Sequence, residues 1–234
     1  MELWLFLLRW IHFLAGITWI GILYYFNFVQ TPFFAEAEPG VRSAAIQKLV
    51  PRALWWFRWS AMGTFLAGIL MYMHKLAQAG AEGFFSTSYG WAITVGGALG
   101  TIMFLNVWLV IWPNQKIVIA SATQAAQGGQ ALPQAANAGR RAGLTSRTNV
   151  VFSIPMLFYM GAASHYTLFT EATSAGIWGL IVIGGALVAA IEVNALSGLQ
   201  GATKKPLDTV GGALWMGFIL SAVLYLLFVI FFPK

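Results

Sequence analysis

The chain has 234 residues, of which 13 are Lys or Arg, 7 are Asp or Glu and none is Cys. Only 9% is charged, against about 25% in an ordinary soluble domain, while 59% is hydrophobic and 15% aromatic. So few charges cannot cover a water-soluble surface, and disordered chains are poor in these apolar and aromatic types, so the composition points to an integral membrane protein.

The missing cysteines exclude a disulfide framework, a thiolate metal site and covalent haem attachment through Cys-x-x-Cys-His. A haem or metal would have to rest on His, Met, carboxylate or backbone. The net charge of +6 comes from basic residues scattered through short loops, which fits positive-inside topology and gives nucleic acid no basic patch to bind.

A membrane-crossing helix needs about 20 predominantly apolar residues. Six stretches qualify: 3–30, 55–74, 91–112, 148–166, 175–195 and 212–232. The first lacks a basic leader and a small-residue cleavage site, so it reads as a retained helix. The expectation is an all-α polytopic bundle of about six transmembrane helices in a single membrane domain.

The segments between the stretches set the orientation. Arg42, Lys48 and Arg52, with Arg58 just beyond, fall on one side. Lys116, Arg140, Arg141 and Arg147 fall there too, as do Lys204 and Lys205. Arg9, Lys75 and Lys234 fall on the other side. This asymmetry predicts both termini outside, periplasmic in a bacterial inner membrane. Segment 121–143 is polar and rich in small residues, and reads as a flexible cytoplasmic loop between two sets of three helices. Gly96, Gly97, Gly100, Gly179, Gly184, Gly185, Gly211 and Gly212 read as close-packing positions. A homo-oligomer is compatible with such surfaces.

Polar residues at depth are costly in lipid and face protein. On the first helix Arg9, His12, Gly16, Trp19, Ile20, Leu23, Asn27 and Gln30 share one narrow sector at about 100° per residue. His12, His74 and His165 all fall in the outer half, where two facing imidazoles could hold a haem iron. The plainer alternatives are interfacial residues for His74 and His165, and a hydrogen-bonded core histidine for His12.

A second polar group gathers toward the inner side. It comprises Asn27, Gln30, Arg58, Asn106, Asn114, Gln115, Arg147, Asn149, Glu192 and Asn194. Glu192 is expected to pair with Arg147 or Arg58. The group reads either as a pocket for an anionic or amide-rich ligand or as a lock on the inner rim. Pro113 is expected to end or bend the third helix, and Pro155 to kink the fourth.

Four strings carry a family resemblance: LLRWIHFLAGITWIGILYYFNF (7–28), LWWFRWSAMGTFLAG (54–68), GTIMFLNVWLVIWPNQKIV (100–118) and SRTNVVFSIPMLFYMGAASHY (146–166). Together they resemble the membrane domain of the bacterial cytochrome c-linked urate oxidases. The resemblance implies oxidation of urate to 5-hydroxyisourate with electrons passed to a cytochrome c. Its family-like residues are Arg9, His12, Trp19, Asn106, Asn114, Gln115, Arg147, Asn149 and His165. The first helix also looks like other small membrane haem proteins, which implies haem b.

Without a Cys-x-x-Cys-His motif here, the cytochrome c is expected to be a separate periplasmic protein. The reading is a membrane oxidoreductase with His12, His165 and His74, flanked by Arg9 and Trp19, at the cofactor, and His12 and His165 as iron ligands. Arg147, Asn149, Asn106 and Glu192 are the expected catalytic set. The alternatives are an accessory subunit of a respiratory complex and, less favoured without matched broken helices, a transporter.

Overall fold

A computed structural model of the chain describes residues 3–233. Lys234, expected on the outer side, lies outside the described residues. The described residues are all-α, without a strand. The helices are α1 (Leu3–Tyr24), α2 (Thr31–Glu36), α3 (Pro39–Lys48), α4 (Val50–Phe85), α5 (Ser88–Leu105), α6 (Trp112–Ala126), α7 (Ala135–His165), α8 (Ser174–Gly179), α9 (Gly185–Leu196) and α10 (Val210–Phe231).

Three π-helical turns join some of these into longer runs: Tyr25–Gln30, Asn106–Ile111 and Leu180–Gly184. Four runs are long and apolar enough to cross a membrane: Leu3–Glu36, Ser88–Ala126, Ser174–Leu196 and Val210–Phe231. The chain is thus a multi-pass membrane protein. α4 and α7 have the length, but each carries several charged residues. α7 tolerates them because it is the central helix: α5, α6, α9 and α10 pack around it, and α1 crosses it near its middle. A helix sheathed by protein need not be apolar to lipid.

Outward-facing surfaces are apolar throughout. Leu3, Phe13 and Ile17 of α1, and Trp215, Phe218 and Ile230 of α10, are all exposed. In water this would be an aggregation surface, and in lipid it is the favoured one. Small residues bring helices together. A Cβ on Gly63 would meet Ala15 at 3.3 Å, one on Gly96 would meet the Met156 carbonyl at 3.3 Å, and one on Gly217 would meet the Val151 carbonyl at 2.9 Å. Gly96, Gly179 and Gly184 pack closely, as expected, whereas Gly97, Gly185 and Gly211 face open space.

The helix ends differ from the sequence expectation in physically readable ways. α4 runs past residue 74 and breaks at Gly80, whose φ of 71° is open to glycine without strain. Pro113 does not end its helix. It follows directly on the π turn Asn106–Ile111, whose wider spacing absorbs the missing N–H, and α6 continues to Ala126. Pro32 stands in the same relation to Tyr25–Gln30. The segment outside α6 and α7 is only 127–134, because small polar residues at each end of 121–143 continue those helices. α7 is continuous through Pro155.

Candidate functional site

Two of the π turns carry buried asparagines. Asn27 lies within Tyr25–Gln30, and Asn106 opens Asn106–Ile111; each is 3% exposed. A π turn widens the helix locally and is often found at functional sites. Here each turn aims a carboxamide inward at α7.

Asn106 Nδ2 donates to Asn149 Oδ1 at 2.9 Å and to Glu192 Oε2 at 3.1 Å. Asn149 Nδ2 donates back to the Met103 carbonyl at 3.0 Å. One carboxamide thus ties the α5 run, α7 and α9 at a single point, with Asn149 fully buried on α7. Asn27 Nδ2 donates to the Leu23 carbonyl and to Ser146 Oγ of α7, both at 2.8 Å. One face of α7 therefore meets polar groups from both π turns. Sequence reasoning passed over Ser146, a small hydroxyl that gave no signal without its partner.

The expected ion pair of Glu192 with Arg147 or Arg58 is not formed among the described residues, and the carboxylate takes its hydrogen bond from Asn106 instead. Helix phase explains why Arg147 is elsewhere. Residues 147 and 149 of α7 differ by about 200° at 100° per residue, so they face opposite ways. Asn149 looks toward α5. Arg147 is 8% exposed, and its Nη1 is buried without a hydrogen-bond partner.

Arg58 lies over the Trp112 ring at 3.9 Å from its centroid and over Trp108 at 5.8 Å, which spends its charge on aromatic faces. Asn114 caps the Val110 carbonyl of its own helix, and Asn194 bonds Lys204 and the Thr203 carbonyl. Both act in local backbone support, away from the triad.

The outer candidates sit on the seam between α1 and α4. Nδ1 of His12 lies 2.8 Å from the Thr64 carbonyl, an acceptor, so Nδ1 carries the proton and Nε2 keeps its lone pair. The ring packs on Gly68, where a Cβ would stand 3.0 Å from His12 Cε1. His74 lies six residues beyond Gly68, about 9 Å of helix rise, edge-on to Trp4 with a ring-centroid distance of 4.8 Å. Its Nε2 is buried without a partner, as is Trp19 Nε1.

The first-helix stripe is buried or half-buried from His12 to Gln30, whereas Arg9 is exposed. His165 is exposed at the end of α7. Tyr24 meets Ser153 and Asn27 meets Ser146, an antiparallel register that sets His165 roughly level with residues 8–12 of α1. The histidines therefore share one end of the bundle. No group of three His, Cys, Asp or Glu converges among the described residues.

Among the expected haem residues, His12 would be the one to hold the group: its Nδ1 donates to the Thr64 carbonyl, which leaves Nε2 with a lone pair, as in an imidazole ligand fixed by its other nitrogen.

Residues 75–222 match the family described as urate oxidase N-terminal. The match runs from the last turns of α4 to just past the middle of α10, so Asn106, Arg147, Asn149, His165 and Glu192 lie within it, and His12 and His74 lie before it. No curated protein and no solved structure matches the chain.

Proposed function

The chain belongs to the urate oxidase N-terminal family, and from that premise we propose that it is the membrane part of a urate-oxidising, cytochrome c-reducing system. The observation that carries the reading is the Asn106–Asn149–Glu192 triad, two buried asparagines and a half-buried carboxylate at a π turn inside the matched residues. Urate is a planar ring of amide-like N–H and C=O edges. Carboxamides present both complements to such edges, and the carboxylate accepts N–H and takes up protons.

In the reaction, water adds to urate to give 5-hydroxyisourate, with release of two electrons and two protons. Glu192 is the triad's proton acceptor, and Asn106 and Asn149 orient the ring. The electrons leave one at a time to a cytochrome c on the outer face. A haem b on the α1–α4 seam would supply the one-electron relay. His12 would hold it, His74 offers a second imidazole nitrogen on the same seam, and Trp19 Nε1 is a free donor there.

The topology in this proposal has six spans, with α4 and α7 as the additional two. Arg140, Arg141, Lys204 and the other loop cations lie cytoplasmic, and both termini lie periplasmic in a bacterial inner membrane. Urate-dependent reduction of added cytochrome c by the purified chain tests the activity, with Glu192→Gln expected to abolish it. Absence of reduction by the native chain overturns the catalytic reading. A pyridine haemochrome spectrum tests the haem, and no Soret absorbance overturns that part.

A second reading is a non-catalytic or haem-carrying accessory subunit of a respiratory complex. It is favoured by the triad's own closure, since both amide protons of Asn106 are spent inside the protein. Copurification with a larger redox complex and inactivity alone would select it.

A further inference from the structure

Arg147 presents a problem that the triad does not solve. It is a guanidinium in the protein interior that pairs with no carboxylate among the described residues, and its Nη1 has no hydrogen-bond partner there. A buried charge left in this state is strongly unfavourable.

Its surroundings identify what would relieve it. α10 runs parallel to α7: Asp208, just before α10, pairs with Arg140, Gly217 meets Val151 and Ile154, and Phe228 meets Tyr159. Arg147 precedes Val151 by four residues and Ile154 by seven, so it shares their face of α7. By those pairs Arg147 comes level with residues 210–216 in the first two turns of α10, and Asp208, just before that helix, acts on it electrostatically.

This first turn is the positive end of a 22-residue helix. Thr209 Oγ1 accepts from Gly212 N at 3.0 Å, and the Thr209 carbonyl accepts from Ala213 N at 3.2 Å. The amides of Val210 and Gly211 remain, and a Cβ at Gly211 would meet nothing within 4 Å.

The neighbouring charges deepen the imbalance. Asp208 is the carboxylate that acts on Arg147, but it is held by Arg140 Nη1 at 2.6 Å. Arg141 reaches only the Ala195 carbonyl, at 2.8 Å. Lys204, 3% exposed, reaches only Asn194 Oδ1 and the Ser197 carbonyl. Glu192 is engaged by Asn106. The Lys204 ammonium is held below the ordinary lysine range, by burial first and then by Arg141 and Arg140. Arg140, Arg141, Arg147 and Lys204 are thus linked by these influences, and of the carboxylates Asp208 and Glu192 only Asp208 pairs with a cation among the described residues.

We propose that this end of α7 and α10 is a binding site for a phosphate-type oxyanion, clamped between the Arg147 guanidinium and the first-turn amides of α10. Guanidinium and helix amides together are the donor set that such oxyanions take. The site sits where α10 begins, the depth at which a phospholipid headgroup carries its phosphate. A lipid headgroup and free phosphate share this chemistry, and the site is independent of urate oxidation.

The test uses the full chain in neutral detergent. Thermal unfolding and saturable binding are followed with phosphatidylglycerol, with inorganic phosphate, and with chloride at matched ionic strength. The native chain is expected to bind about one oxyanion, with a raised unfolding midpoint that chloride does not reproduce. Arg147→Gln is expected to weaken binding about 10- to 100-fold, the value of a charge-assisted contact. Arg147→Lys keeps part of the effect, and Lys205→Gln, on an exposed neighbour, keeps all of it.

Stabilisation by phosphatidylglycerol alone assigns the lipid, and equal stabilisation by phosphate assigns a soluble oxyanion. If Arg147→Gln does not fold, direct binding to the native chain still decides. No saturable binding of either ligand, or binding unchanged in Arg147→Lys and Arg147→Gln alike, overturns the site.

Discussion

The Asn106–Asn149 contact can be weighed by a double-mutant cycle. Asn106→Ala, Asn149→Ala and the double variant would be unfolded in mixed micelles of detergent and denaturing surfactant. Asn149→Ala removes the bond from Asn106 and the one to the Met103 carbonyl. Interhelical hydrogen bonds in membranes average about 0.6 kcal/mol and reach about 1.7, so this variant should lose about 1–3 kcal/mol. Asn106→Ala removes the shared bond and the one to Glu192, for a similar loss. Only the shared bond is counted twice, so the double variant should fall short of the sum by about 0.6–1.7 kcal/mol. Strict additivity would refute the contact. Losses with a coupling term but unchanged urate-dependent electron transfer would instead assign the triad to bundle stability.

Other outcomes follow from single contacts. Gly68→Ala pushes a methyl to 3.0 Å from His12 Cε1, so haem content should fall, while Gly97→Ala, facing open space, should leave it unchanged. Gly217→Ala brings Cβ to 2.9 Å from the Val151 carbonyl and 2.5 Å from Ile154 Cδ1; it should lower stability by about 1–3 kcal/mol, read as an earlier unfolding transition, whereas Gly185→Ala, facing open space, should not lower it.

Lys204 gives a pH dependence. Its folded value is depressed, so between that value and about 10.4 the unfolded chain binds more protons, and stability rises with pH across the window. Lys204→Met should flatten that rise in unfolding midpoints, and an unchanged slope would refute the burial argument.

Composition alone determined the solvent of this protein. Nine per cent charge with 59% apolar residues admits a lipid environment and little else. Apolar run lengths located the long helices, and helical periodicity put His12, Trp19 and Asn27 on one inward stripe. These features are local: they depend on the residue, its spacing and the medium, and so they are legible in one dimension. Asn106, Asn149 and Glu192 were legible as deep polar residues for the same reason.

Which of them meet was decided by tertiary structure. The π turns at 25–30 and 106–111 re-phase their helices. They let Pro32 and Pro113 sit within continuous runs and aim Asn27 and Asn106 at α7. Helix phase on α7 sends Asn149 one way and Arg147 the other, although the two are neighbours in sequence. Arg140, Arg141 and Lys204 counted from sequence only as cytoplasmic charge, yet they bind the carbonyls after and at the end of α9, because that helix end comes to rest beside α7. Contacts between distant segments are set by crossing positions and rotations that no local pattern encodes, and the pairing of the polar residues is a property of the packed bundle.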